Sequence, residues 1–122
     1  MKLITFFIAA IATAASLNIN AQNTYKIFLA GQSTDTLSRK EITANPVVSI
    51  IGIPNAVESF ELSFLNSNGD LIVVPSGSNL LTQRMLEIIQ DTSVNKIFIE
   101  NIVFMINDEK KTAPGRRFYL KS

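Results

Sequence analysis

Acidic side chains are the residues of this chain with the plainest capacity for chemistry. Two carboxylates held close together can act as general acid and base, or as the catalytic pair of a glycosidase. The candidates are Glu58, Glu61, Asp70, Asp91 and Asp108. Local structure accounts for most of them, because Asp70 lies in a predicted turn, Asp91 ends a predicted helix, Asp108 falls in a predicted loop and Glu61 alternates with apolar residues. The sequence therefore does not favour a catalytic pair.

Other common catalytic groups are missing from the sequence. The chain contains no His and no Cys, so it lacks the usual neutral-pH base, a thiolate nucleophile and the common ligands of zinc, copper and haem. Ser38 precedes Lys40 by two residues, which is not the S-x-x-K spacing of a Ser-Lys pair. The five glycines are scattered singly rather than forming a phosphate-binding loop. We therefore expect no enzyme activity, no cofactor and no metal site.

Four cations near the C-terminus are weak candidates for binding a partner or an anion. Lys110 and Lys111 lie in one predicted polar loop, residues 107–115, and Arg116 and Arg117 follow it directly. Guanidinium and ammonium groups recognise carboxylates and phosphates. A solvated loop with no binding role is the competing interpretation.

The N-terminus has the pattern of a cleavable secretory signal peptide, from Met1 to Ala21. Lys2 supplies the positive charge, residues 3–15 are apolar or small with two threonines, and a small residue, Ala21, precedes the polar Gln22. The apolar run of 13 residues is short of the roughly 20 that a membrane-spanning helix needs. We expect cleavage between Ala21 and Gln22, one domain over residues 22–122, and no transmembrane segment afterwards.

Export and charge limit the kind of partner. Removing Lys2 from the 11 Lys and Arg leaves 10, which balances the 10 Asp and Glu, so no net positive field attracts nucleic acid. We expect no nucleic-acid partner. A lipid-anchoring Cys is missing and no sorting domain follows Ser122, which favours the periplasm, with the cell exterior as the alternative.

Hydrophobic periodicity predicts a mainly β (α+β) fold, with a compact antiparallel sheet or sandwich and two short helices in the order β-α-β-β-β-α-β-β. A capping box at Ser38 to Glu41 predicts a first helix over 39–44, and Thr82 is the predicted N-cap of a second. Asn68-Gly69 predicts a hairpin with a type I′ turn, and the polar residues Glu100 and Asn101 indicate a bend or bulge inside a long strand. The predicted strands are residues 24–30, 47–53, 60–64, 71–74, 97–106 and 116–121, and the second helix is 83–90.

The order and spacing of several short strings resemble the C-terminal domain of the gliding-motility protein GldM. The strings are Leu37–Ile42, Asn45-Pro46, Val57–Phe60, Leu81-Thr82, Lys96–Ile102 and Arg116–Tyr119. The resemblance implies a Bacteroidetes periplasmic β-rich module of the type IX secretion and gliding machinery, which in that family contacts outer-membrane components and is not an enzyme. The family has a membrane anchor and preceding domains where this chain has a signal peptide, so the resemblance implies the fold and a binding role rather than force transmission.

The leading hypothesis is therefore an exported, non-enzymatic module that docks a protein partner of the cell envelope and can form a homodimer. Exposed sheet edges are a plausible binding mode, since they can accept a strand from a partner. One alternative is a carboxylate-based enzyme or carbohydrate-binding module that uses Tyr25 or Tyr119. Another is a small inhibitor whose loop at residues 107–115 enters a target cleft.

Overall fold

A computed structural model describes residues 25–53 and 55–122. The predicted signal peptide and its cleavage site lie outside the described residues. The described chain is mainly β with two helices, which confirms the predicted fold class. Its elements are β1 (Ile27–Leu29), β2 (Thr36–Ser38), α1 (Arg39–Ala44), β3 (Val48–Ile50), β4 (Val57–Leu65), β5 (Leu71–Ser76), α2 (Gln83–Gln90), β6 (Lys96–Ile106), β7 (Glu109–Ala113) and β8 (Arg116–Lys121).

Both helices have the predicted bounds because their ends are set by local hydrogen bonds. The Ser38 hydroxyl accepts from the Glu41 amide at 3.0 Å at the start of α1. The Thr82 hydroxyl accepts from the Met85 amide at 3.2 Å at the start of α2. Side-chain oxygens at these positions satisfy amides that have no partner within the first helical turn.

The strands form two sheets. The larger sheet has six strands in the order β2-β8-β6-β4-β5, with β7 beside β6, and the smaller one pairs β1 with β3. All pairs are antiparallel except β2 with β8, which is parallel. The prediction of a largely antiparallel sheet is consistent with this arrangement. Strand β2 was not predicted, because it has three residues and leads directly into α1.

The predicted irregularity in β6 is a β-bulge. Glu61 of β4 pairs with Glu100, but Ser59 pairs with Val103, so β6 carries one extra residue between these pairs. Asn101 adopts a left-handed backbone with φ +50°, as is common at such bulges. The bulge changes which residues of β6 point inward, from Ile97 and Ile99 before it to Ile102 and Phe104 after it.

The prediction of a polar loop over residues 107–115 is wrong. Asn107 and Asp108 both have positive φ, at +52° and +64°, which is the requirement of a two-residue type I′ turn. This turn joins β6 to β7, and β7 pairs with β6 from Ile106 and Glu109 to Ile102 and Ala113. The inhibitor hypothesis relied on this segment being a loop, whereas the segment is a hairpin.

The hairpin of β4 and β5 is confirmed, but its turn is not type I′. Gly69 has φ +81°, whereas Asn68 has no positive φ. The Gly69 amide donates to the Asn66 carbonyl at 3.0 Å, so the turn is type I followed by a glycine bulge. The Asn66 side chain explains the difference, because its Oδ1 accepts from the amides of Asn68 and Asp70 at 3.0 and 2.9 Å.

One hydrophobic core joins both helices and both sheets. From α2, Met85 and Ile89 are fully buried, and from β6, Ile97, Ile99 and Phe104 are fully buried. Since side chains alternate along a strand, the large sheet uses one face for this core and turns the other face outward. Within the described residues, no helix is long and apolar enough to cross a membrane.

Candidate functional site

The outward face of the large sheet carries several exposed apolar side chains. We use the name open face for the part of it formed by Leu65, Leu71, Val73, Lys96, Phe98, Arg117 and Tyr119. Strand register places these residues together, because Leu65 pairs with Leu71, Phe98 pairs with Arg117, and Lys96 pairs with Tyr119. Each lies out of phase with the buried residues of its own strand.

Exposure distinguishes the open face from the rest of the described surface. The side chains of Leu71, Leu65, Val73 and Tyr119 are 59%, 54%, 47% and 41% exposed. The described residues include two other exposed large hydrophobic residues, Ile51 and Leu80, so most of this class is on the open face. Contiguous apolar residues on a protein surface commonly mark an interaction site.

Two cations lie across the aromatic rings of the open face. The Lys96 Nζ is 5.7 Å from the centre of the Phe98 ring, and the Arg117 Cζ is 5.1 Å from the centre of the Tyr119 ring. Neither Lys96 nor Arg117 forms an ion pair with a carboxylate of the described chain. The open face therefore combines exposed apolar groups with positive charge that has no acidic partner within the described residues.

Strand register divides the four candidate cations between the two faces of the sheet. Arg117 and Lys110 pair with Phe98 and Met105, which places them on the outward side. Lys111 and Arg116 pair with the buried residues Phe104 and Ile99, which places them on the core side, and Lys111 Nζ lies 3.6 Å from a carboxylate oxygen of Glu109. The four candidate cations thus form two pairs on opposite sides of the sheet.

Arg116 is occupied by contacts inside the protein. Its Nη1 donates to the Ile27 carbonyl at 2.8 Å, and its Nη2 donates to the Ser33 carbonyl at 2.6 Å. Its Nε and Nη2 both donate to the Asp35 Oδ1, at 3.0 and 2.6 Å. These bonds hold β1 and the following loop against β8. The sequence gives no signal for this contact, since Asp35 and Arg116 are 81 residues apart.

Three of the carboxylates lie at hairpin turns or at the end of a helix. Asp70 and Asp108 lie in the two hairpin turns, and Asp91 is the C-cap of α2. The Asp91 Oδ1 accepts from the hydroxyl and the amide of Ser93, at 2.7 and 3.0 Å. These two hydrogen bonds stabilise the charged form and lower the pKa of Asp91.

Glu61 and Glu100 are the carboxylates that the sheet brings together, as cross-strand partners. They lie on the outward side of the sheet, and the Asn101 side-chain amide donates to Glu61. Within the described residues, no group of three acidic, His or Cys side chains could hold a metal ion.

Two cavities of similar volume on the described surface contain no carboxylate pair. The first, of about 550 Å³, is lined by Tyr25, Lys26, Ile27, Phe28, Ser33, Ile51, Pro114, Gly115 and Arg116. The second, of about 540 Å³, is lined by Asn55, Val57, Glu58, Gly77, Ser78 and Asn79. The first has no acidic side chain and the second has only Glu58, so neither provides the paired acid and base that the enzyme alternative requires.

No family model matches the chain, and no curated protein matches it. The open face was not predicted from the sequence, although one signal for it is present in β5. Leu71-Ile72-Val73-Val74 is a continuous apolar run, and in a strand such a run places apolar residues on both faces.

Replacing Arg116 by Lys tests whether this side chain stabilises the fold through its internal hydrogen bonds. We expect R116K to lower the free energy of unfolding by about 1–3 kcal/mol, because a Lys cannot reproduce the hydrogen bonds to Ile27, Ser33 and Asp35. The neighbouring substitution R117K is the matched control, and its effect should stay within about 0.5 kcal/mol. Urea unfolding followed by circular dichroism measures both values. Equal effects of the two substitutions would contradict the assignment.

Proposed function

We propose that this protein is an exported, non-enzymatic interaction module that docks a protein partner of the cell envelope through the open face. The observation that carries the proposal is the row of exposed apolar side chains on that face, Leu65, Leu71, Val73 and Tyr119. A relationship to the GldM C-terminal domain, which the short strings in the sequence suggest, is part of the proposal and would imply the same type of role. A periplasmic location is part of the proposal.

The chemistry of the open face suggests the chemistry of its partner. Exposed Leu and Val side chains gain free energy when another apolar surface covers them, at about 25 cal/mol for each Å² removed from water. Lys96 and Arg117 have no acidic partner in the described chain. A complementary partner would therefore present apolar side chains with Asp or Glu beside Lys96 and Arg117, and no acidic group beside Glu61 and Glu100.

The arrangement of the acidic residues supports a non-enzymatic role. Asp70, Asp91 and Asp108 belong to turns and a helix cap, where their oxygens or backbone shape the chain. Glu61 and Glu100 stand on an outward sheet face rather than in either cavity. A catalytic pair would require a concave site that positions a substrate and excludes water.

The N-terminus of the mature protein tests the export proposal. We expect the protein from the cell envelope to begin at Gln22, because the small residue Ala21 fits the cleavage position of a signal peptidase. Mass spectrometry of the intact protein and its N-terminal peptide measures this directly. The substitution A21R should block processing, whereas the control Q22N should not. Recovery of the wild-type protein with residues 1–21 still attached would contradict the proposal.

Added charge on the open face tests the docking surface. The double variant L65K/Y119K should reduce recovery of the bound partner at least tenfold, since it replaces two exposed apolar side chains with ammonium groups. The matched control Q90K/T92K adds the same charge to exposed positions away from the sheet. The tagged full chain is expressed in the cell that encodes it, and proteins crosslinked to it in the envelope are quantified by mass spectrometry.

Circular dichroism must show that both double variants fold. A protein recovered with the wild type and the control, but lost with L65K/Y119K, is the expected result. Equal recovery with all three chains would place the binding surface elsewhere. Recovery of no specific protein with the wild type would remove support for the docking role itself.

A further inference from the structure

Strand β5 forms one edge of the large sheet and is paired on one side only. Its partner is β4, and the register runs from Leu65 with Leu71 to Phe60 with Ser76. Among the described residues, no other strand pairs with β5. Its second side therefore presents backbone groups that the sheet does not use.

The turn determines which backbone groups of β5 point outward. The Asn66 amide donates to the Asp70 carbonyl at 2.9 Å, so these residues form a hydrogen-bonded pair. Hydrogen-bonded pairs alternate along an antiparallel ladder, which makes Ile72 and Val74 the residues bonded to β4. The backbone groups of Leu71, Val73 and Pro75 face away from β4. Pro75 has no amide hydrogen, which suits an outward position on an edge strand.

The edge of β5 has little of the protection that natural edge strands usually carry. Its sequence, Leu-Ile-Val-Val-Pro-Ser, contains no charged residue, although Lys and other charged side chains commonly prevent edge pairing. Leu71 and Val73 are about half exposed. The amides and carbonyls of these two residues make no hydrogen bond to any other segment of the described chain. Only Pro75 interrupts the edge.

We propose that two copies of this protein pair through β5 in antiparallel orientation, about a two-fold axis at Ile72. In this register, Leu71 of each copy lies opposite Val73 of the other. Each Leu71 amide then donates to a Val73 carbonyl, and each Val73 amide donates to a Leu71 carbonyl. All outward amides and carbonyls of these residues are thereby satisfied, and Pro75 lies beyond the paired segment.

Composition favours a second copy as the occupant of this edge. The side chains that meet within the seam, Leu71 with Val73 and Ile72 with Ile72, are all apolar. At each end of the seam Asp70 lies opposite Val74, and the Asp70 side chain is exposed to water. The two Asp70 side chains are separated by about four residues, or roughly 13 Å along the strand, which exceeds the Debye length of roughly 8 Å at physiological salt. A two-fold axis makes the same edge serve as donor and acceptor for both copies.

The dimer differs from the open-face partner in the groups that it uses, although Leu71 and Val73 also contribute side chains to the open face. It uses the backbone edge of β5, whereas the docking variants change Leu65 and Tyr119. The two β5 strands overlap over three residues of each copy, Leu71 to Val73, so the buried area is small and the association should be weak and concentration dependent.

Single cysteines give a specific test, because the chain has no native Cys. In the proposed register, the two Ile72 residues form a directly opposed pair with a Cα separation of about 4.5 Å, which lies within the range of a disulfide. The two Val74 residues would be roughly 13 Å apart, which is too far. I72C should therefore form a covalent dimer under mild oxidation, and V74C should not.

Ile72 and Val74 are both half-buried and share a face of β5, so V74C is a matched control for thiol reactivity. The full chain is expressed with each substitution, purified in the form that the cells process, and oxidised over a range of concentrations. A disulfide dimer of I72C alone is the expected result. Equal crosslinking of I72C and V74C, or none of either, would overturn the proposal.

Light scattering on the same preparations tests the dimer without a crosslink. The wild-type protein should change from monomer towards dimer as its concentration rises. V73P should remain monomeric, because it removes an outward amide while leaving the β4 ladder intact, and V73A, which keeps that amide, should still associate. A wild-type protein that is monomeric at every concentration would overturn the proposal. If V73P does not fold, the cysteine pair still decides the question.

Discussion

The β-bulge at Asn101 is the constraint on which the two faces of the large sheet depend. Apolar residues of β6 occupy odd positions before it, Ile97 and Ile99, and even positions after it, Ile102 and Phe104. A regular strand would turn one of these pairs towards water, since side chains alternate with a period of two. The extra residue keeps the side chains of both pairs on the core side of the sheet. Asn tolerates the left-handed backbone that this position requires.

The neighbouring strands accommodate the same irregularity. Strand β8 pairs with the first part of β6 and β7 with the second, and the connection between them passes beside the bulge. At Gly115 a Cβ atom would lie 3.2 Å from the Ile99 carbonyl oxygen, so a larger residue would press against β6. The core therefore stays continuous on one side along the whole of β6. The opposite side of the sheet presents Phe98 of β6 and Arg117 and Tyr119 of β8. The proposed docking role follows from that division.

Local features of the sequence predicted local features of the structure. The bounds of both helices follow from the caps Ser38 and Thr82, and the bulge follows from polar residues inside an apolar strand. Strands β2 and β7 were missed because β2 is short and β7 is rich in Lys and Glu, so neither has strand-like hydrophobic periodicity. The Arg116 contacts and the open face depend on pairing between distant strands, and one sequence does not specify which strands become neighbours.

The most direct test of the docking surface is photo-crosslinking in living cells. A benzophenone amino acid replaces Tyr119 on the open face, and in a parallel strain it replaces Leu80, which is exposed to a similar degree away from the sheet. Contact through the open face predicts one discrete adduct from position 119 and none of that mass from position 80. No adduct from position 119, or the same adduct from both positions, would contradict it.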